Sequence, residues 1–362
     1  MAGPQSVSLL VQVLLQPDSS LSWNSTQWEL LLQQARRANL LARVGVAFER
    51  ADLLEQVQEG PRRHFEAIRR VTESQQRAVL WEAQQIHQAL RGLKVPVVLL
   101  KGAAYALSGL TAAQGRLFAD VDILVPRESL DAVEFSLMAE GWQGAHHDEY
   151  DQRYYRQWMH EIPPMQHLQR ETVIDVHHNI LPLTSRIKVD AAALLAHIEP
   201  IPGGSGLYRL SKPDMVLHSA CHLFLDGEFD KGLRDLVDLD ALLREFGQEA
   251  DFWPQLMQRS HHLGLDRILF YALRYTHRVL KTPGTESPPP QLLAQAPSAL
   301  QLRLMDALFL RALQPDHPSC ADRWTGLARQ ALYLRAHWMR MPMLMLTRHL
   351  LTKAIRKPPE AE

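Results

Sequence analysis

The stretch Asp120-Val121-Asp122-Ile123-Leu124-Val125 places two carboxylates in an otherwise apolar run that Pro126 ends. The run is typical of a β-strand, on which Asp120 and Asp122 would share one face. Two like charges side by side repel and are costly unless something compensates them. Magnesium binds hard oxygen ligands and completes its shell with substrate phosphates. The stretch therefore predicts that Asp120 and Asp122 bind Mg²⁺ or Mn²⁺.

A third carboxylate lies further along the chain, in Val173-Ile174-Asp175-Val176-His177. This segment predicts another strand, with Asp175 and His177 facing a cleft. An acidic residue in so apolar a strand needs a partner. If the strand lies beside the first, Asp175 would complete a two-metal site. We expect His177 either to orient Asp175 or to contact the substrate, and a packed histidine is the alternative.

The third part of the pattern is Lys101-Gly102-Ala103, which follows a short apolar run over residues 95–100 and precedes a predicted helix over residues 105–110. A glycine at such a turn lets the backbone approach a phosphate, and a helix N-terminus offers free N–H groups. Lys101 and Arg116 would each neutralise a phosphate oxygen. The alternatives are a solvated strand end for Lys101 and a surface ion pair for Arg116.

Together these segments resemble the bacterial "nucleotidyltransferase family" of the polymerase-β-like nucleotidyltransferase superfamily. That family's pattern is L-K-G, then R…D-[IV]-D-[IL]-L-V, then an acidic residue followed by h-H, and the match spans roughly residues 90–245. The resemblance implies a small mixed sheet flanked by helices. It also implies metal-dependent transfer of a nucleoside monophosphate from a nucleoside triphosphate, with ATP the expected donor. The superfamily turn has Gly-Gly or Gly-Ser, whereas Ala103 follows Gly102 here.

By the same resemblance, Asp120, Asp122 and Asp175 are the catalytic and metal-binding residues. The family also has a charged helix after the catalytic core. In this chain such a helix starts near Lys231-Gly232-Leu233-Arg234. Lys231 or Arg234 would reach the triphosphate across the cleft.

The pattern predicts an α+β fold in three parts. An N-terminal helical segment covers residues 1–90, with one helix capped by Ser25 or Thr26 and another over residues 69–90. A nucleotidyltransferase core with a small mixed sheet covers residues 91–210, in which residues 142–170 are expected to form hairpin strands and loops. An all-helical region covers residues 211–362 and contains a Pro-rich loop near residues 282–299.

Composition and charge indicate the compartment of the protein and the partners that it does not attract. The net charge of −1 gives no overall field that would attract nucleic acid or an anionic membrane. The two cysteines form no CxxC pair, which favours a reducing compartment. The N-terminus lacks a basic region typical of a signal peptide, and no apolar run reaches the length of about 20 residues that a membrane span needs. We expect a cytoplasmic protein.

Several alternatives stay open. The chain could be a catalytically inactive nucleotide-binding module or a protein-interaction module. The acceptor could be a small molecule, a sugar, RNA or a protein. His218 and His222 are spaced for a shared ligand, but no glutamate follows His218 as in H-E-x-x-H, which favours packed histidines. The Met-rich, basic tail over residues 338–357 is interpreted as a docked terminal helix, with weak contact to a membrane surface or a partner as the alternative.

Overall fold

The computed structural model describes residues 8–144, 149–204, 206–287 and 289–341. Its centre is a mixed β-sheet. The strands in this part of the chain are β1 (Val97–Leu99), β2 (Asp120–Leu124), β3 (Trp142–Gly144), β4 (Met165–His167), β5 (Val173–His177), β6 (Ile198–Pro200) and β7 (Leu207–Leu210). Their order across the sheet is β3-β4-β5-β2-β1-β7-β6.

The sheet combines both strand directions. Strand β2 runs parallel to β5 and antiparallel to β1, and β1 runs parallel to β7. The outer pairs β3–β4, β4–β5 and β6–β7 are antiparallel. Helices together with one mixed sheet agree with the predicted α+β class. The three predicted central strands are confirmed as β1, β2 and β5.

Helices precede the sheet along the chain, connect its strands and follow it. Those before it are α1 (Leu9–Leu15), α2 (Ser25–Arg37), α3 (Leu41–Arg50) and α4 (Glu59–Leu90). Those between its strands are α5 (Lys101–Leu107), α6 (Leu130–Ala139), α7 (Glu149–Trp158) and α8 (Ala191–Leu195). Those after it are α9 (Lys212–Leu225), α10 (Gly232–Phe246), α11 (Phe252–His262), α12 (Asp266–Leu280), α13 (Pro290–Leu293), α14 (Ala299–Ala312) and α15 (Thr325–Arg340).

The helices and the sheet share one apolar core. The same cluster of buried side chains runs from Leu10 in α1, through the central strands, to Leu332 in α15. Helix α4 packs against β1, β2, α5 and α6, while α10 and α12 pack against α9. Burial of this apolar surface is the main favourable contribution to folding. The predicted division into three segments stays a prediction.

The structure corrects several predicted boundaries. Helix α2 is capped by Asn24 and not by Ser25 or Thr26, because the side chains of Asn24 and Gln27 form a reciprocal capping box. Helix α4 begins at Glu59, well before residue 69, and its early turns bury Phe65. Helix α5 begins at Lys101, four residues before the predicted start. Residues 142–170 contain helix α7 in addition to strands and loops.

The region after residue 210 follows the prediction more closely. Ser211 caps α9, since its side chain accepts a hydrogen bond from the backbone N–H of Asp214. Residues 282–299 connect α12 to α14 and include the short helix α13. Thr282, Thr285 and Leu292 are buried there, so the Pro-rich connection packs against the protein at these three residues.

Some sequence-based interpretations fall outside the described residues. One is the part of the basic, Met-rich tail beyond Met341. In the part of the chain that the structure covers, no helix combines the length and the apolar character required to cross a bilayer.

Candidate active site

The three predicted aspartates lie on one face of two neighbouring strands. In the parallel pair β2–β5, Asp122 is the register partner of Asp175, and Asp120 is the partner of Val173. Neighbouring strands lie about 4.8 Å apart, so the carboxylates at positions 122 and 175 are adjacent. Asp120 is exposed, Asp175 is half-buried and Asp122 is buried. The exposure of the three carboxylates to solvent therefore decreases in the order Asp120, Asp175, Asp122.

Two neighbouring side chains, a histidine and a lysine, hold Asp122 as an anion. Nε2 of His177 lies 3.2 Å from its Oδ1, and Nζ of Lys101 lies 3.9 Å from its Oδ2. Burial alone would raise the pKa of Asp122. The charge of Lys101 and the hydrogen bond from His177 outweigh burial and hold the pKa well below its usual range.

Asp175 has the opposite environment. Burial, together with the negative charges of Asp122 and Glu161, raises the pKa of Asp175 to about 7. Its Oδ1 atom is buried and has no hydrogen-bond partner. A buried carboxylate oxygen without a partner is costly. A divalent cation beside Asp122 and Asp175 would remove that cost, so the residues present fit a Mg²⁺ or Mn²⁺ ion.

Lys101 and Gly102 form a constrained start of α5. Lys101 has φ 41°, in the left-handed region that non-glycine residues rarely adopt. A Cβ at position 102 would collide with the guanidinium of Arg116 and come within 3.2 Å of the Phe118 ring. Close packing against Arg116 therefore accounts for Gly102 without a phosphate. A phosphate-binding role of Gly102 and of the buried Ala103 stays a prediction.

Arg116 points into an internal ion-pair cluster. Its Nε lies 2.8 Å from Oδ2 of Asp238 on α10, and Nη2 of Arg43 lies 2.7 Å from Oδ1 of the same carboxylate. All three side chains are nearly buried. The structure thus ties Arg116 to Asp238 by a buried ion pair, and its predicted contact with phosphate remains a prediction.

Arg234 and Lys231, the two basic residues predicted to reach the triphosphate, have different surroundings. Arg234 pairs with Asp235 at 2.8 Å, and Asp235 lies 3.5 Å from Nδ1 of His222 on α9. His222, together with Lys101, lines a cavity of about 40 Å³. Asp235 therefore links Arg234 to a histidine that lines this cavity. Lys231 is exposed just before α10, and its predicted contact stays a prediction.

His177 contacts the site differently from the predicted role. It binds Asp122 and not Asp175, and its Nδ1 lies 3.2 Å from Oε2 of Glu161. Burial alone would lower the pKa of His177, but Glu161 and the hydrogen bond to Asp122 raise it above its ordinary value. His177 is therefore a buried link between two carboxylates.

Sequence reasoning missed His160 and Glu161. They precede β4, and their approach to β5 depends on an isolated antiparallel pairing of Glu161 with His177. No local pattern signals such a pairing. His218 is buried, as expected for a packed histidine, and it lines the same small cavity as His160. Burial, followed by the charges of Lys101 and His177, lowers the pKa of His218 well below its ordinary value.

Comparison with known proteins identifies the family to which the chain belongs. A family model described as an uncharacterised nucleotidyltransferase matches residues 24–281. The matched part extends from near the start of α2 to just past α12, and it includes every predicted site residue. A search of curated proteins found no significant match. Because the family model covers more than half of its length, the chain belongs to the uncharacterised nucleotidyltransferase family.

Proposed function

We propose that this protein is a metal-dependent nucleotidyltransferase of the polymerase-β-like kind. It would transfer a nucleoside monophosphate from a nucleoside triphosphate, with ATP the expected donor, to an acceptor hydroxyl or amine. The observation that carries the proposal is the register pairing of Asp122 with Asp175, together with the buried Oδ1 of Asp175 that lacks a partner. Family membership supports nucleotidyl transfer as the general activity.

Asp120, Asp122 and Asp175 would hold one or two Mg²⁺ or Mn²⁺ ions. When bound, such ions neutralise the triphosphate and stabilise both the entering and the leaving oxygen of the displacement. The oxygen ligands match this choice, since hard cations prefer carboxylates and phosphates. Asp120 is exposed, so its carboxylate is accessible to a triphosphate from solvent.

The proposed reaction is a displacement at the α-phosphorus. An acceptor oxygen or nitrogen forms a bond to that phosphorus, while the bond to the oxygen that bridges to the β-phosphate breaks, and pyrophosphate leaves. The acceptor also loses a proton. Asp175 either accepts that proton or completes the second metal position.

Lys101 and His177 would act by positioning Asp122 and by supplying charge. Each faces a different oxygen of that carboxylate. This arrangement keeps Asp122 anionic and fixed before the substrate binds, and charge that is already in place costs no reorganisation during the reaction. Lys101 would also neutralise a phosphate oxygen of the triphosphate as a point charge.

The test uses the full chain and α-labelled triphosphates. The four common nucleotides are offered with Mg²⁺ or with EDTA, together with acceptor classes that include small amines, sugars, RNA and protein. We expect Mg²⁺-dependent label transfer and pyrophosphate release, and we expect Asp122→Asn to reduce both by at least about 100-fold. Asp131→Asn, an exposed aspartate on α6, is the matched control.

The other outcomes separate the alternatives. Wild-type turnover in Asp122→Asn would overturn the proposal. Mg²⁺-dependent binding of a triphosphate without pyrophosphate release for any acceptor class would favour an inactive nucleotide-binding module. No thermal shift with any of the nucleotides would favour a protein-interaction module.

A further inference from the structure

A second set of ligand-bearing side chains lies on the side of His177 that faces away from Asp122. Among the residues that the structure describes, His160, Glu161 and His177 each bring a nitrogen or carboxylate oxygen to within 4.8 Å of the others. The set offers two imidazoles and one carboxylate. It therefore differs in chemistry from the all-oxygen set of the three aspartates.

Two buried nitrogens in this set have no hydrogen-bond partner. Nδ1 of His177 and Nδ1 of His160 are both buried and unpartnered, and the His177 side chain is only 4% exposed. Nδ1 of His177 lies 3.2 Å from Oε2 of Glu161, but without the geometry of a hydrogen bond. Buried polar atoms are nearly always satisfied, so a missing partner for both nitrogens calls for an explanation.

The backbone holds the three side chains together. Glu161 forms an antiparallel bridge with His177, and the N–H of Ile162 donates to the carbonyl oxygen of Val176 at 3.0 Å. The N–H of His178 donates to the carbonyl oxygen of His160 at 2.8 Å. The ligand set therefore lies along paired backbone at the side of β5, which fixes its spacing before any ion binds.

His177 connects this set to the aspartates. Its Nε2 hydrogen-bonds to Asp122, which leaves Nδ1 as the atom that faces Glu161. A histidine that binds a metal through one ring nitrogen commonly donates the other N–H to a carboxylate, which fixes the ring and its tautomer. Asp122 would thus support an ion bound at His177 while binding Mg²⁺ on the other side.

We propose that His160, Glu161 and His177 bind a divalent first-row transition-metal ion, with Zn²⁺ as its probe, at a site separate from the Mg²⁺ site of the three aspartates. Two imidazoles and a carboxylate suit Zn²⁺ or Fe²⁺ better than Mg²⁺. Three protein ligands leave a further coordination position for water or a substrate group, as in catalytic zinc sites. The proposal does not require that nucleotidyl transfer occurs.

The test measures metal binding directly. The full chain is stripped with a chelator and titrated with Zn²⁺ against a chromophoric competitor, and the content after dialysis is measured by elemental analysis. We expect about one tightly bound Zn²⁺ per chain, and His160→Gln should weaken binding by at least about 100-fold because one of the three protein ligands is lost. Glu161→Gln keeps the side-chain shape and provides a second test should the first variant fold poorly.

Three further variants make the result specific. His262→Gln changes an exposed histidine on α11 and should leave Zn²⁺ binding unchanged. Asp175→Asn should also keep the ion, whereas Asp122→Asn should weaken binding by about 10- to 100-fold through the lost support of His177. In the Co²⁺-substituted protein, the visible absorption of a nitrogen-bound ion should disappear with His160→Gln.

Three results would contradict the proposed metal site. They are the absence of stoichiometric Zn²⁺, binding that survives both His160→Gln and Glu161→Gln, or binding that is lost with Asp175→Asn but kept in both of those variants. Failure of the proposed nucleotidyl transfer gives a different result, since Zn²⁺ would still bind while no triphosphate is turned over.

Discussion

Nε2 of His177 lies 3.2 Å from Oδ1 of Asp122, and this contact joins the two strands that carry the carboxylates. Lys101 faces the other oxygen of Asp122 at 3.9 Å. The neighbouring Asp175 has no comparable donor at its buried Oδ1. The site therefore contains one aspartate that is compensated by the protein and one that needs a cation or a proton.

The first prediction concerns the pH dependence of stability without divalent cations. Because burial and nearby carboxylates raise the pKa of Asp175 to about 7, the folded state keeps a proton that the unfolded state releases above about pH 4. The free energy of unfolding should therefore fall as pH rises from about 4 to about 7, by an amount on the order of a few kcal/mol. Asp175→Asn should remove this contribution.

Urea unfolding in EDTA, at several pH values across that window, measures the effect. The wild type should lose stability relative to Asp175→Asn as pH rises, and Mg²⁺ at high pH should restore stability to the wild type only. Parallel pH profiles for the two proteins would contradict the prediction.

The second prediction concerns Lys101. Lys101→Met removes the charge near Asp122 while keeping much of the side-chain length. We expect kcat/KM for the triphosphate to fall by about 100-fold, as for other preorganised charges at a reacting phosphate. Lys94→Met is the control, because Lys94 is exposed and also has a left-handed backbone, with φ 53°. Steady-state kinetics with equal losses in both variants would show that Lys101 has no special role.

The third prediction concerns Gly102. A methyl group at this position would collide with the Arg116 guanidinium, which Asp238 holds in place. Gly102→Ala should therefore lower the free energy of unfolding by about 1–3 kcal/mol, the usual cost of overpacking. Gly60→Ala on α4 has open space around it and should cause no loss. Equal urea midpoints for the wild type and Gly102→Ala would count against this packing.

The fourth prediction concerns Asp238, which pairs with both Arg43 and Arg116. Asp238→Asn would leave two nearly buried guanidinium groups without their counter-charge. Thermal or urea unfolding should show a loss of about 3–5 kcal/mol, typical of breaking a buried ion pair. Glu59→Gln, which breaks an exposed pair with Arg63, should cost no more than about 1 kcal/mol. Similar losses in the two variants would argue against a structural role for the cluster.

Strands and their carboxylates were predictable because their signals are local. An acidic residue at every second position of an apolar run fixes both the strand and the face, as in β2, and β5 repeats the signal with Asp175 and His177. The residue that caps α2 does not follow from the sequence alone, since Asn, Ser and Thr are all good capping residues and stand side by side at positions 24–26. The reciprocal hydrogen bonds of Asn24 and Gln27 decide it, and they appear only in the folded helix.

The rest depends on contacts that are distant in sequence. Arg116 lies close to Asp120 along the chain, but its partner is Asp238, and only the packing of α10 against the core brings the two together. His160 and Glu161 reach His177 through a single backbone bridge that follows an unpredicted helix. No periodicity encodes either contact, so sequence reasoning found the aspartates without the residues behind them.

The most direct measurement is a crystal structure of the full chain with Mn²⁺ and a non-hydrolysable triphosphate, in which anomalous scattering marks the ion. The account predicts an anomalous peak about 2.1–2.3 Å from carboxylate oxygens of Asp122 and Asp175, with phosphate oxygens completing the shell. A triphosphate and ion bound elsewhere, with Asp122 and Asp175 free of metal, would contradict it.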